Sequence, residues 1–331
     1  MIIETRAYAR AGLLGNPSDG YFGKTISISV RNFGAHVSLY ESPELQIEPQ
    51  NQDINIFRNI YALVDSINLM GHYGGTRLIK AAIKRFCEHC DVHNIKLSNK
   101  NFTIRYRSSI PRQVGLAGSS AIITATLRAL MSFYQVEIPL EILPNIVLSV
   151  ETDELGINAG LQDRVIQVYE GCVYMNFDKK IMQTQKHGIY EPLDPTRLPK
   201  LYIAYKTDLG KVSGKVLSDI RTRYENGDSE VIATLKRIAE LAEEGKQAIL
   251  HKDKFKLIKL MNENFDLRSK IMNISESNME LVETARKCGA SAKFTGSGGS
   301  IIGIYTNDDM LNRLVVELRK IHARVIKPYI I

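Results

Sequence analysis

The sequence predicts an α+β fold. Runs that alternate apolar and polar residues are mixed with longer runs of helical periodicity, without the regular strand–helix alternation that builds a parallel sheet. Hydrophobic residues make up 44% of the 331 positions, which allows a sizeable core and argues against wholesale disorder. Three prolines, Pro192, Pro195 and Pro199, punctuate a turn-rich stretch and divide the chain into expected domains of residues 1–192 and 193–331.

The elements follow in order. Residues 25–30 alternate strictly and read as a strand, as do 35–40 and 45–48. Residues 54–68 and 76–90 read as helices, and 102–107 as a half-buried strand. Residues 122–134 are helical, with Leu127, Leu130, Met131 and Tyr134 on one face. The helical pattern of 140–154 contains Pro144, and 171–177 is a strand. The second half opens with a strand at 201–205. Helical stretches follow at 212–224, 229–251, 255–272 and 279–287. A strand at 301–305, a helix at 310–321 and a strand at 323–331 complete it. No internal repeat or low-complexity tract interrupts the chain.

Charge and cysteine usage narrow the class. The net charge of +7, from 43 basic and 36 acidic residues, is interleaved rather than blocked. It suits anionic ligands without indicating nucleic acid. No apolar run is long enough to span a bilayer, and the first ten residues lack a basic-then-apolar signal pattern. With four cysteines, the expected location is the reducing cytoplasm. Cys87, Cys90 and His93 form a Cys-x2-Cys-x2-His cluster with His89 inside it. A structural zinc site needs four ligands and paired knuckles, so buried or free thiols are the expectation.

The strongest motif is Pro111-Arg-Gln-Val-Gly115-Leu116-Ala117-Gly118-Ser119-Ser120-Ala121, which joins the strand at 102–107 to the helix at 122–134. Its serines stand where helix amides lack internal partners. Those amides and the positive end of the helix dipole suit a phosphate, and glycines allow close backbone approach. The plain alternative is an ordinary serine-capped helix. Two other loops nearly match nucleotide motifs. Ser18-Asp-Gly-Tyr-Phe-Gly-Lys24-Thr25 approaches a P-loop, but Ser18 replaces its first glycine and a strand follows where a helix is required. Thr295-Gly296-Ser297-Gly298-Gly299 precedes an expected strand, whereas a dinucleotide loop opens a helix.

The Pro-x3-Gly-Leu-x2-Ser-Ser-Ala string resembles the phosphate loop of the GHMP kinases. Three further segments resemble that family's motifs in its order. Arg10-Ala-Gly-Leu-Leu-Gly-Asn16-Pro-Ser-Asp19 is similar to the sugar-binding segment of galactokinases, with Asn16 and Pro17 in place of their Glu-His pair. Glu151 stands twelve positions before Asp163 across a glycine-containing turn. Lys293-Phe-Thr295-Gly296-Ser297-Gly298-Gly299 resembles the C-terminal glycine loop. Within the family, these segments, Tyr73-Gly-Gly-Thr-Arg77 and Gly160-Leu-Gln162-Asp163-Arg164-Val165 most resemble the plant-type glucuronokinases.

The resemblance implies a two-lobed fold. One lobe is related to ribosomal protein S5 domain 2 and the other is ferredoxin-like, with ATP between them. It implies that the residues from Pro111 to Ala121 and from Thr295 to Gly299 hold the nucleotide, and that Ser120 and Glu151 hold Mg2+. Asp163 accepts or orients the substrate proton, and Arg10 lies near the reacting phosphate. Asn16, Asp19, Lys24, Gln162 and Arg164 fall to the sugar, with Arg10, Lys24 and Arg164 as candidates to read a uronate carboxylate. The implied activity is ATP-dependent phosphorylation of a sugar hydroxyl, namely the anomeric hydroxyl of D-glucuronate. The implied partner is a small sugar or sugar acid, with no nucleic acid or membrane, for a monomer or homodimer. Alternatives are another GHMP kinase acting on a different sugar, a heptose phosphate or a mevalonate-like alcohol. An S5-like nucleic-acid-binding protein is the alternative outside the family, but it does not predict the Glu151/Asp163 pair.

Overall fold

The computed structural model describes residues 2–49, 75–207 and 216–330. The helix expected over 54–68, residues 73–74 of the Tyr-Gly-Gly motif and the start of the helix expected over 212–224 lie outside the described residues.

Strand β1 (Ile2–Leu14) pairs antiparallel with β2 (Lys24–Ser42) from Ile2↔Tyr40 to Leu14↔Ile26. No strand is expected at β1, and its burial explains why. Every residue from Ala7 to Leu14 is buried, and a strand covered on both faces shows no alternation. The strands expected at 25–30 and 35–40 are one continuous strand, with a register shift opposite Tyr8 and Ala9. The other edge of β2 pairs first with β5 (Cys172–Asn176) and then with β4 (Asn101–Ser108). Strands β3 (Gln46–Glu48) and β6 (Ile189–Leu193) complete the order β3-β4-β2-β5-β6, with β1 against β2.

Helices α1 (Gly75–Val92) and α2 (Gly118–Tyr134) pack together, and α2 lies on β1 and β2. The helix expected over 140–154 begins only at α3 (Leu143–Ser149). Pro144 falls in its first turn, where a missing N–H removes no helical bond. The chain then makes a single π-helical turn, Val150–Glu154, which presents Glu151. The short helices α4 (Gln162–Tyr169) and α5 (Lys179–Gln185) carry too little periodicity to be read from sequence.

The second sheet is antiparallel in the order β10-β7-β9-β8, comprising β7 (Leu201–Lys206), β8 (Lys293–Phe294), β9 (Ser300–Ile304) and β10 (Ala323–Ile326). The final strand is shorter than the expected 323–331. Beyond Ile326 the chain contains Pro328, which has no N–H to donate. Tyr329 instead accepts from Arg31 N and donates to Asn32 Oδ1. Helices α6 (Val216–Glu225), α7 (Ser229–Leu250), α8 (Lys254–Ile271), α9 (Glu276–Lys287) and α10 (Asp308–Lys320) match the remaining helical stretches to within a few residues. Side chains of Asp228, Asp253 and Asn307 accept from first-turn amides and set the starts of α7, α8 and α10.

The change of sheet falls between Leu193 and Leu201, yet one apolar core crosses it. Leu201, Ile203 and Ile302 join Ile26, Ile28 and Leu241. A smaller core of Tyr202, Phe294 and Leu314 lies under α9 and α10. The four cysteines are free thiols, three of them buried, and the His89 and His93 ring centres lie 4.2 Å apart with the rings tilted. Among the described residues no helix is long and apolar enough to cross a membrane.

Candidate active site

Arg10 sits in the buried middle of β1, where a lone cation would be costly. It is fully engaged instead. Nε and Nη2 donate to the two Asp163 carboxylate oxygens at 2.5 and 2.8 Å. Nη1 donates to Gly115 O at 2.5 Å and Thr295 O at 3.1 Å. One guanidinium therefore joins β1, the serine loop, the start of α4 and the C-terminal glycine loop. A bidentate pair of this kind fixes orientation as well as charge.

Asp163 lies in the first turn of α4, where the helix dipole favours an anion. Burial pushes its carboxyl upward, but the Arg10 and Arg164 charges and the Arg10 hydrogen bonds outweigh burial and hold it below the ordinary carboxylate range. Its side chain remains 21% exposed, on the cavity side. Arg164 is buried and donates to Glu151 Oε2 and to Gly160 O, with Nη1 3.4 Å from Asp163 Oδ2. Burial alone would lower the Arg164 pKa; Glu151 and Asp163 reverse that and raise it. The carboxylates of Glu151 and Asp163, twelve positions apart in the chain, are thus bridged by a single arginine.

These groups open on a cavity of about 250 Å³. Its walls include Asn16, Asp19, Glu151, Gln162, Asp163 and Ser297. Asp19 is half-buried and accepts from the Gln162 backbone N–H at 3.3 Å. Burial and the nearby Asp163 charge push its carboxyl up to about 6, against the smaller opposing effects of the Gln162 bond, Arg10 and Arg164. Gln162 is held in place by donating Nε2 to Ser27 Oγ at 2.7 Å.

A carboxyl whose pKa is raised on folding is less costly to fold when protonated. Its contribution is therefore favourable at low pH and is lost as pH rises through about 4 to 6. Asp19→Asn is expected to stabilise the ligand-free protein by on the order of 1–3 kcal/mol at about pH 8, and by much less near pH 4.5. Urea unfolding of both proteins at the two pH values measures this. Equal stabilisation at both would contradict the strained, ionised Asp19.

The glycines of the two loops serve chiefly their mutual approach. A Cβ on Gly115 would lie 2.6 Å from Gly298 O, and one on Gly299 2.8 Å from Val114 Cα; both residues have positive φ. A Cβ on Gly296 would meet Gly115 O at 2.6 Å and both Arg10 Nη atoms at 2.8 Å. Gly118 differs, since its added Cβ meets only Ile110 at 3.5 Å. The loops are stitched further by Thr295 Oγ1 to Gly115 O at 3.1 Å and Ser300 Oγ to Val114 O at 2.5 Å.

Helix α2 starts at Gly118 after Ala117, a left-handed N-cap residue whose side chain makes no cap bond. The ordinary serine-capped helix is therefore absent here. Ser120 Oγ donates to Ala117 O at 3.3 Å, which leaves its lone pairs available. Pro111, Leu116, Ala121 and the rest of this loop adjoin the cavity through Arg10 rather than lining it.

Lys24 is not brought to the cavity. It pairs with Glu243 at 2.7 Å, an oxygen that also accepts from Tyr174 OH at 2.6 Å. Conversely, Arg221 and Arg268 line the cavity and were not expected there. The signal for Arg268 was available. The buried stripe of α8 runs Leu257, Met261, Asn264, Phe265, Arg268, Ile271, and two polar residues interrupt its apolar spacing. Asn264 accepts from Gly15 N at 2.8 Å and donates to Asn16 O at 3.2 Å, so it props the cavity floor.

Comparison with known proteins agrees with this architecture. The model of the GHMP kinases N terminal domain matches residues 77–171, and that of the GHMP kinases C terminal matches residues 246–323. Glucuronokinase 1 of Arabidopsis thaliana is 47% identical over 306 residues, covering 91% of this chain and 84% of that protein. Two solved structures share the fold. A Lin0012 protein from Listeria innocua has a TM-score of 0.81 at 17% identity, covering 99% of this chain and 98% of its own. Galactokinase of Lactococcus lactis, solved with galactose, has a TM-score of 0.78 at 14% identity, covering 99% and 93%. The expected α+β kinase fold is the one found. The chain is a phosphotransferase of the GHMP kinase family, similar over nine-tenths of its length to a plant glucuronokinase.

Proposed function

We propose that this protein is an ATP-dependent sugar kinase that phosphorylates the anomeric hydroxyl of D-glucuronate to glucuronate 1-phosphate. Residues 1–192 form the nucleotide-binding half and 193–331 the half that packs over it. The observation that carries the reading is the Arg10–Asp163 pair, which sits at the cavity wall and is tied by the same guanidinium to both glycine loops. Its support from relatives is the 47% identity to Arabidopsis glucuronokinase 1.

The residues present fit the nucleotide and the metal. The N-terminus of α2 has no side-chain cap, and two glycine loops meet beside it, which suits an anionic phosphate chain. Ser120 and Glu151 offer hard oxygen donors of the kind magnesium prefers. When bound there, Mg2+ supplies charge neutralisation across the phosphates.

Asp163 orients the attacking hydroxyl. Because two arginines hold its carboxyl below the ordinary range, it is ionised at neutral pH but weakly basic. It therefore takes the hydroxyl proton only as the new O–P bond forms and the bond to ADP breaks. In a loose transition state such positioning suffices, and an anomeric hydroxyl, being more acidic than an ordinary alcohol, eases the transfer. Arg10 faces the developing charge, and Asn16, Asp19 and Gln162 bind sugar hydroxyls.

A coupled ADP-release assay across glucuronate, galacturonate, galactose, mannose, fucose, a heptose phosphate and mevalonate tests the proposal. The highest kcat/KM is expected with glucuronate, and phosphorus NMR of the product should show an anomeric phosphate. A higher kcat/KM for a neutral sugar would refute the uronate assignment.

A further inference from the structure

We propose that Arg268 is the group that reads the carboxylate of the acceptor. The inference deepens the glucuronate reading and rests on it. Arg268 is only 2% exposed and lines the cavity, yet among the described residues no carboxylate lies within ion-pair distance of it. A buried cation without an anion is costly unless a ligand supplies one.

Its bonds leave it incomplete. Nη1 donates to Gly296 O at 2.7 Å, Nε faces Met272 Sδ at 2.9 Å, and the guanidinium stacks 5.3 Å from the Phe294 ring centre. Those contacts hold the fork in place while Nη2 has no acceptor among the described residues. Burial lowers its pKa to about 10, against the Asp19 charge, so it stays a cation at neutral pH. Asn16 is buried as well. Its Oδ1 accepts from Lys293 Nζ at 2.6 Å, and its Nδ2 is sealed from the cavity, so it offers the ligand no donor.

The other cations are committed elsewhere. Arg10 is spent on Asp163 and Arg164 on Glu151, while Lys24 is paired with Glu243 outside the cavity. Lys293 is buried and donates to three oxygens, those of Gly12, Asn16 and Phe294. Arg221 is exposed and bonds Asn158, which places it at the rim. A carboxylate is the acceptor that suits a rigid, planar Arg fork.

The experiment compares glucuronate with glucuronamide, which removes the charge and keeps the shape. In the wild-type protein kcat/KM is expected to favour glucuronate by about 10- to 150-fold, the worth of a charge-assisted hydrogen bond. In Arg268→Met that preference should fall to within about threefold, while KM for ATP changes little; Arg268→Lys should restore part of it. Thermal unfolding of each variant establishes that it is folded, and Arg268→Gln, which also removes the charge, carries the test if Met does not fold. Should a folded, uncharged variant keep the full preference, the inference fails and the glucuronate reading stands. A loss of ATP affinity with every sugar would assign Arg268 to the phosphates and also overturn it. If the wild-type protein prefers a neutral sugar, the underlying reading fails first.

Discussion

Asp163→Asn is expected to lower kcat by about 10²- to 10⁴-fold while nucleotide affinity stays within a few-fold of wild type. Asparagine keeps the shape and can still accept from Arg10, but it carries no charge and takes no proton. The substitution therefore removes the anion that Arg10 and Arg164 share. Stability should fall too, because breaking a buried ion pair leaves cations unpaired; about 3–5 kcal/mol is the upper range, discounted here since Asp163 is partly open to the cavity. Rates must accordingly be taken per folded molecule, with ATP binding followed by calorimetric titration. Near-normal turnover would remove Asp163 from the mechanism. In the wild-type protein an acid limb near neutrality should not come from Asp163, whose carboxyl is held low, but from Asp19, whose carboxyl burial pushes up to about 6.

Gly296→Ala is expected to be nearly as damaging, although the added methyl carries no chemistry. Its Cβ would stand 2.6 Å from Gly115 O and 2.8 Å from Arg10 Nη1 and Nη2. The first contact is backbone and cannot swing away. The second is a guanidinium pinned by four hydrogen bonds, so its release would cost the bidentate grip on Asp163. Either the two glycine loops part or Arg10 moves. A displacement of about 1 Å at reacting groups lowers the rate by roughly 10²-fold, and a loss of that order in kcat is expected. KM for ATP should rise with it, because the serine loop is held by the same contact. A folded Gly296→Ala protein with wild-type kcat would show that the loops do not need this close approach.

Much of the fold was legible because secondary structure is written in local periodicity. The long helices α7, α8 and α10 are legible by apolar spacing, while their exact starts, set by Asp228, Asp253 and Asn307, come from the structure. The half-buried strand β4 does so by alternation. Strand β1 was illegible for the opposite reason, since burial on both faces erases the period. The candidate site was legible as separate strings, including the serine loop, Arg10, Glu151, Asp163 and the C-terminal glycines, because each carries a local pattern of residue types.

What those strings do to one another was decided by tertiary structure alone. Arg10 meets Gly115, Asp163 and Thr295 across 105, 153 and 285 positions, and no local pattern encodes such contacts. The pairing of Arg164 with Glu151, and of Lys24 with Glu243, likewise depends on which side chains the packed helices and sheet bring within reach. Charge type can be read along the chain, but whether a charge is already neutralised cannot. That depends on distance and burial, and these left Arg268, on a helix far along the chain from the Arg10 and Asp163 motifs, buried beside the cavity with no carboxylate within ion-pair distance among the described residues.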